Sequence, residues 1–312
     1  MAAASHLIDT LSRLPLPVRR TALRAAWRAS LAWRSEIGFD LEPFLERHLK
    51  IGGPEARRIA REHDFQDKLL ILEWFATARR SMEAMIADAA GVRVSDPALA
   101  ERLAADGGTV ILAPIHMGVF PFGITYVVWK YFRGRRLLVL RAREDLETNN
   151  VAMDRLQEIA GEFRILNTRN EGEFVDAMRF ARKGAVVVSL LDLPQTYGTP
   201  CETRLFREDA SIALGLDAMA RMLKGVVLPM TVHSHLTRDD IVFGRPFEVH
   251  DTAPEARREL AAEVGRQIEA FVSLAPEQWH MWTRIHEFYP TARTVAPVAT
   301  RSGEEGIPHV AH

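Results

Sequence analysis

Three places in this chain carry residue types that move protons or hold anions, and each follows directly on a short apolar run. His116 and Gly118 come after the run at 109–114, Arg141 and Arg143 after 137–140, and Asp192 after 185–191. A neutral imidazole can take the proton from a hydroxyl as that hydroxyl attacks a carbonyl carbon, and a carboxylate usually orients such a ring. A guanidinium can hold a phosphate or offset the charge of a developing oxyanion. Each residue alone is ordinary. Their shared position is what makes them a candidate set, because ligands of open α/β sheets bind beyond the carboxyl ends of the strands.

The elements that would position them can be read from periodicity. The runs 109–114, 137–140, 163–166, 185–191 and 226–232 are too apolar for half-exposed strands and fit strands buried on both faces. Helical stretches lie between them, at about 147–161, 171–183 and 210–223, with a last helix at 254–274. Asp96 and Pro97 form a helix start, and Gly107-Gly108 a stop. Strands separated by helices of this length predict crossover units, hence an α/β fold with a mainly parallel sheet flanked by helices. The three strand ends would then lie on one edge. Residues 55–90 predict one or two further helices with a broad apolar face (Leu69, Leu72, Trp74, Phe75, Met82, Met85, Ile86). The expected organisation is an N-terminal segment 1–40, a single α/β domain 41–290 (helical at 41–95, α/β core at 96–290), and a loose tail 291–312.

Between Arg13 and Arg34 there are six arginines and no acidic residue. Leu23, Trp27 and Leu31 recur every four residues, beside a parallel row of Arg20, Arg24 and Arg28, so a helix would carry the two rows side by side. Two readings follow. The segment is an interfacial amphipathic helix attracted to anionic lipid, with Trp27 and Trp33 at headgroup level, or it is a cationic helix packed on the domain.

Composition narrows the class further. The chain has 312 residues, 40 basic against 41 acidic, so it lacks the dominant positive field of a general nucleic-acid binder. Its one cysteine, Cys201, excludes an internal disulfide and reads as a loop thiol in a reducing compartment. No stretch has the ~18–20 apolar residues of a transmembrane helix, and no signal peptide is evident, so the chain is expected to stay on the side of the membrane where it is made. His233 and His235, with Asp239 and Asp240 nearby, fall short of a metal-ligand set. His280 and His286, beside Trp279, Trp282 and Phe288, read as a packed C-terminal segment. Gly172, Gly184 and Gly198 lack phosphate-loop spacing, and no G-x-S-x-G elbow is present. No cofactor is expected.

Residues 115–121, IHMGVFP, resemble the H-x-G-x-x-E/D block of the bacterial lipid A biosynthesis (late, lauroyl/myristoyl) acyltransferase family. Residues 54–63, Leu140-Arg141, Leu190-Leu191-Asp192, the loop 194–206 and the PEQWHMW block at 276–282 are similar to that family in the same order, over about 15–289. The resemblance implies a glycerol-phosphate-acyltransferase-like fold, peripheral on the cytoplasmic face of the bacterial inner membrane. It implies transfer of a fatty acyl group from an acyl carrier protein or coenzyme A thioester to a hydroxyl or amine of a lipid or glycolipid. It also implies roles: His116 as general base, Arg141 for acceptor binding or oxyanion stabilisation, Asp192 as site carboxylate, and Gly118 and Arg143 at the substrate.

The chain departs from the family block at one telling position. The carboxylate five residues after the histidine is Pro121 here, and proline offers no side-chain acceptor to an imidazole. Either another acid, Asp192, Glu144 or Asp145, takes that place, or catalysis is altered or lost. Three readings therefore stand: an acyltransferase, a catalytically degenerate relative that binds lipid or acyl carrier protein, and a hydrolase that delivers the acyl group to water.

Overall fold

The structure is a computed structural model that describes residues 2–32, 39–141, 147–167, 171–182 and 184–289. Two helices open the chain, α1 (Ala2–Ser12) and α2 (Leu16–Leu31). After them come a short α3 (Glu42–Phe44) running into a π-turn, the long α4 (Gly53–Arg79) and α5 (Met82–Asp88). The α/β part then runs β1 (Arg93–Val94), α6 (Pro97–Ala105), β2 (Val110–Pro114), α7 (Phe120–Tyr131), β3 (Arg136–Arg141), α8 (Glu147–Ile159), β4 (Glu162–Asn167), α9 (Glu171–Ala181) and β5 (Val186–Val188). A hairpin of β6 (Pro200–Leu205) and β7 (Glu208–Ala213) precedes α10 (Gly215–Leu223), β8 (Val226–Ser234), β9 (Asp239–Phe243) and α11 (Pro254–Leu274). Short 3₁₀ turns complete the described chain to Tyr289.

Seven strands form one sheet in the order β1-β9-β8-β2-β5-β3-β4, parallel throughout except for the antiparallel pair β8/β9. Both faces are covered, and the two-residue alternation of a strand assigns each side chain to its face. On β2, Val110 and Leu112 enter one apolar core with α2, α6, α7 and α8. Ile111 and Ala113 enter the opposite core with α9, α10, α11 and the β6/β7 hairpin. Five of five β2 residues are buried, which is why the run reads as continuously apolar rather than alternating.

Helix termini follow local chemistry. The Asp96 side chain accepts the Leu99 N–H at 2.9 Å, with Pro97 in the first turn of α6, as expected from sequence. The Ser81 hydroxyl caps α5 in the same way. The expected helix at 210–223 is shorter than predicted. Residues Glu208–Ala213 pair instead with Pro200–Leu205, and the turn between them places Phe206 and Arg207 at φ 52° and 69°. Non-glycine residues rarely adopt that left-handed conformation, so the turn has no local signal and rests on the buried ring of Phe206 against Trp279 and Trp282. The apolar run 185–191 is a strand only at Val186–Val188, although Ser189 and Leu191 continue to donate to Leu112 and Pro114 carbonyls.

The N-terminal arginine row resolves into three different environments. Leu23 and Trp27 are buried in the core, where the Trp27 indole donates to Asp64 at 2.6 Å, so this apolar face is packed on the domain and not presented to lipid. Arg19 and Arg20, 1% and 0% exposed, are enclosed by Glu73, Asp88 and Asp239 at 2.6–2.8 Å. Arg24 pairs with Glu62 and lies over the Phe65 ring, and Arg28 is exposed. A buried cation must be matched by carboxylates, which lie 53 to 219 positions away in sequence. Trp33 and Arg34 lie outside the described residues, as does the tail 291–312. Among the described residues, no helix is long and apolar enough to cross a membrane.

Candidate active site

His116 sits two residues beyond β2, and its place is fixed by neighbours on both sides of that strand. The Ile115 N–H donates to Met230 of β8, and the Leu191 N–H donates to Pro114, which brings the end of the β5 segment alongside. Asp192 therefore arrives next to His116. Its Oδ2 accepts the His116 backbone N–H at 2.9 Å, and its Oδ1 lies 2.8 Å from the ring Nδ1. Both side chains are wholly buried. A carboxylate accepts only, so the Nδ1 hydrogen points at Asp192 and Nε2 carries the lone pair of the neutral ring. This is the arrangement a general base requires.

Among the described residues, Asp192 is the carboxylate at the His116 ring. Proline occupies the first turn of α7, where its missing N–H costs nothing, and Asp192 supplies the carboxylate from the adjacent strand. The alternatives Glu144 and Asp145 lie outside the described residues, as does Arg143. Phe120 meets the imidazole edge-to-face, with ring centroids 5.2 Å apart.

The connections on either side of the pair leave the sheet in opposite directions. The chain leaving β2 goes to one face through α7, and the chain leaving β5 goes to the other through the hairpin and α10. Open sheets bind ligands at such a switch point, and His116 and Asp192 stand at it, bonded to each other. Arg141, half-buried, ends β3, the strand beyond β5, and so shares this edge. Gly118 serves the loop itself. Its φ is +57°, a Cβ would fall 2.3 Å from the Val232 carbonyl, and its N–H is taken by the Gln278 carbonyl at 2.9 Å. Its amide is thus engaged inside the protein and does not face a substrate.

Several residues at the site were not expected to take part. The Trp279 indole donates to Asp192 Oδ2 at 2.8 Å, so three donors converge on one carboxylate. His280 joins α4 to the His116 loop. Its backbone N–H donates to the His116 carbonyl at 2.8 Å, one ring nitrogen lies 2.7 Å from Asp67 and the other 3.0 Å from the Gly118 carbonyl. His63 Nδ1 lies 3.0 Å from the Glu277 carbonyl on the same turn. Burial alone would raise the Asp67 carboxyl, but the His63 and His280 rings outweigh it and hold Asp67 below its ordinary 3.8. Ser234 Oγ accepts the Val119 N–H, and the Gln278 amide bonds Ser234 at both backbone N–H and carbonyl. The 276–282 block was visible in sequence, and its packing was expected. Its polar grip on the His116 loop depends on a contact 160 residues distant.

Elsewhere, His235 and Arg238 both pair with Asp240 on the β8/β9 edge, and His233 is held below its ordinary value by burial, with His235 adding to the effect. Among the described residues, no group of three His, Cys, Asp or Glu side chains could hold a metal ion. Cys201 is buried on β6, with its thiol pushed up by burial.

No protein-family model matches this chain, and no curated protein sequence matches it.

Proposed function

We propose that this protein is an acyltransferase that moves a fatty acyl group from an acyl carrier protein or coenzyme A thioester to a hydroxyl or amine of a lipid or glycolipid. The observation that carries the reading is the His116–Asp192 pair at adjacent strand ends. With Nδ1 committed to Asp192, Nε2 takes the acceptor's proton as its oxygen attacks the thioester carbonyl. Collapse of the tetrahedral oxyanion expels the thiolate, which recovers that proton, and the base returns to its neutral state. Arg141, on the same edge, is the cationic residue available to offset the oxyanion or hold the acceptor. The sequence resemblance to the late lipid A acyltransferases supports the donor and acceptor classes and a peripheral seat on the cytoplasmic face of the inner membrane.

One observation favours a second reading. His116 is wholly buried, with Phe120 against its ring, so proton transfer requires this cover to part. A relative that binds lipid or acyl carrier protein without turnover would keep the same buried pair as a structural element.

The test is incubation of the purified protein with radiolabelled acyl-carrier thioester and a bacterial lipid extract. Label transferred to lipid by the wild type and reduced at least 10³-fold in His116→Gln supports the acyltransferase, in line with the ~10²–10⁴-fold worth of a general base. Absence of transfer, with thioester or lipid binding retained, assigns the non-catalytic reading. Release of free fatty acid would instead identify water as the acceptor.

A further inference from the structure

A concave feature lies away from His116, where the later half of α2 meets the first turns of α4. It is a cavity of about 400 Å³ whose wall includes Arg24, Arg28, Arg57, Arg58 and Arg61. Five guanidinium groups around one small cavity repel each other, and a folded protein compensates such a cluster with carboxylates or leaves it for an anionic ligand. Compensation here is partial. Glu62 is bonded by Arg24, and Glu42 stands 4.0 Å from Arg57. Arg28, Arg58 and Arg61 are exposed and have no carboxylate within ion-pair distance among the described residues. Trp27 and Pro54 give the cavity an apolar floor between these side chains, and the charge on its wall comes from the five arginines and Glu62. Guanidinium forks match the paired oxygens of a phosphate, and Pro54 sets the positive end of the 27-residue α4 at the cavity wall.

We propose that the α2–α4 cavity is a binding site for a phosphate group, with Arg28, Arg58 and Arg61 as its ligands. The site shares a neighbour with the candidate catalytic loop. Burial raises the Glu277 carboxyl, with Glu62 adding to it and Arg58 opposing; the Glu277 carbonyl meets His63, and the next residue, Gln278, bonds Gly118. The proposal deepens the transfer reading by giving the phosphate of a donor or acceptor a place to bind. Its test needs no turnover, so it can fail or succeed independently of that reading.

Two probes distinguish the sources of the phosphate: inorganic pyrophosphate, measured by calorimetry, and phosphatidylcholine vesicles with and without phosphatidylglycerol, measured by sedimentation. Each is applied to the full-length protein, to Arg28→Gln/Arg58→Gln/Arg61→Gln, and to Arg179→Gln/Arg258→Gln/Arg266→Gln, which removes the same charge from exposed positions on α9 and α11. Wild-type binding to either probe, weakened at least tenfold in the first variant and less than twofold in the second, supports the site. Pyrophosphate binding alone would assign a soluble phosphate ester, and vesicle binding alone a phospholipid headgroup. The proposal is overturned if the wild type binds neither probe, if the first variant binds as well as wild type, or if both variants lose binding equally. Thermal unfolding of both variants confirms that the exposed substitutions leave the fold intact.

Discussion

Asp192 holds His116 at two points, accepting its backbone N–H at 2.9 Å and its ring Nδ1 hydrogen at 2.8 Å, so one buried carboxylate fixes both where the residue sits and how its ring is turned. Trp279 adds a third donor to the same group. Three donors fill most of the roughly four acceptor sites of a carboxylate, and replacing it has consequences for fold and chemistry together.

Asp192→Asn keeps the shape but substitutes an amide that must present N–H where one donor already points. One of the three hydrogen bonds is lost and a buried polar group is left unpaired, at a cost of about 1–3 kcal/mol. Urea unfolding should show that loss, and acyl transfer should fall further than stability does, because the imidazole can settle in the wrong tautomer. Transfer unchanged from wild type would remove Asp192 from the mechanism.

Pro121→Glu places an acid in the first turn of α7, where it suits the helix dipole. Because Asp192 already occupies Nδ1, the new carboxylate has no vacant ring position to fill there. Transfer activity should stay within about twofold of wild type, with stability changed by less than about 1 kcal/mol. A large gain in rate would show that Asp192 is not the working partner.

Gly118→Ala forces a side chain into the left-handed region and against the Val232 carbonyl, 2.3 Å away, with Ser234 Oγ and Gln278 Oε1 close behind. Backbone strain alone costs of order 1–3 kcal/mol, and the clash must be relieved by moving the loop that carries His116. The variant should lower the melting temperature and depress transfer, whereas Gly107→Ala, at a similar φ of +67° but with open space, should affect stability only. Equal activity losses in the two variants would argue against loop displacement.

Acid should destabilise the protein in two steps. His48 is buried against Tyr289, and burial, with Arg47 and Lys50 adding to it, lowers the imidazole from 6.5 to about 4 despite Glu208. The unfolded chain takes up that proton first, so stability present above pH 6.5 is lost as pH falls from 6.5 toward 4. Burial would raise Glu73, but Arg20 and Arg19 outweigh it and hold the carboxyl at about 2, down from 4.5. That contribution is present above pH 4.5 and is lost as pH falls from 4.5 toward 2, by roughly 3 kcal/mol when complete. Urea unfolding across pH 2.5–7.5 should resolve both windows. His48→Phe should shrink the upper loss and leave the lower one, the remainder of the upper window belonging to His63 and His233, which burial also lowers, and Glu73→Gln, which strands two buried arginines, should cost about 3–5 kcal/mol even at neutral pH. Stability that stays level between pH 6.5 and 4 would contradict the assignment to His48.

Sequence alone determined the elements whose signal is local. Apolar runs marked β2, β3, β5 and β8 because a strand covered on both faces needs no polar residue, whereas β4, expected to be buried in the same way, is an edge strand exposed along much of its length; strand–helix alternation then required parallel pairing, hence one edge for His116, Arg141 and Asp192. Tertiary structure decided everything that depends on partners distant in sequence. Strand order set β5 directly beside β2, making Asp192, 76 residues away, the partner that Pro121 could not be. Trp279 and His280 gained their polar roles only when the 276–282 turn met that loop. The arginine row of α2 had one periodicity but three fates, because helical spacing fixes which face a side chain occupies and not what that face meets. Arg20 met Glu73 and Asp239 and became a core ion pair, while Arg28 met the open cavity beside α4.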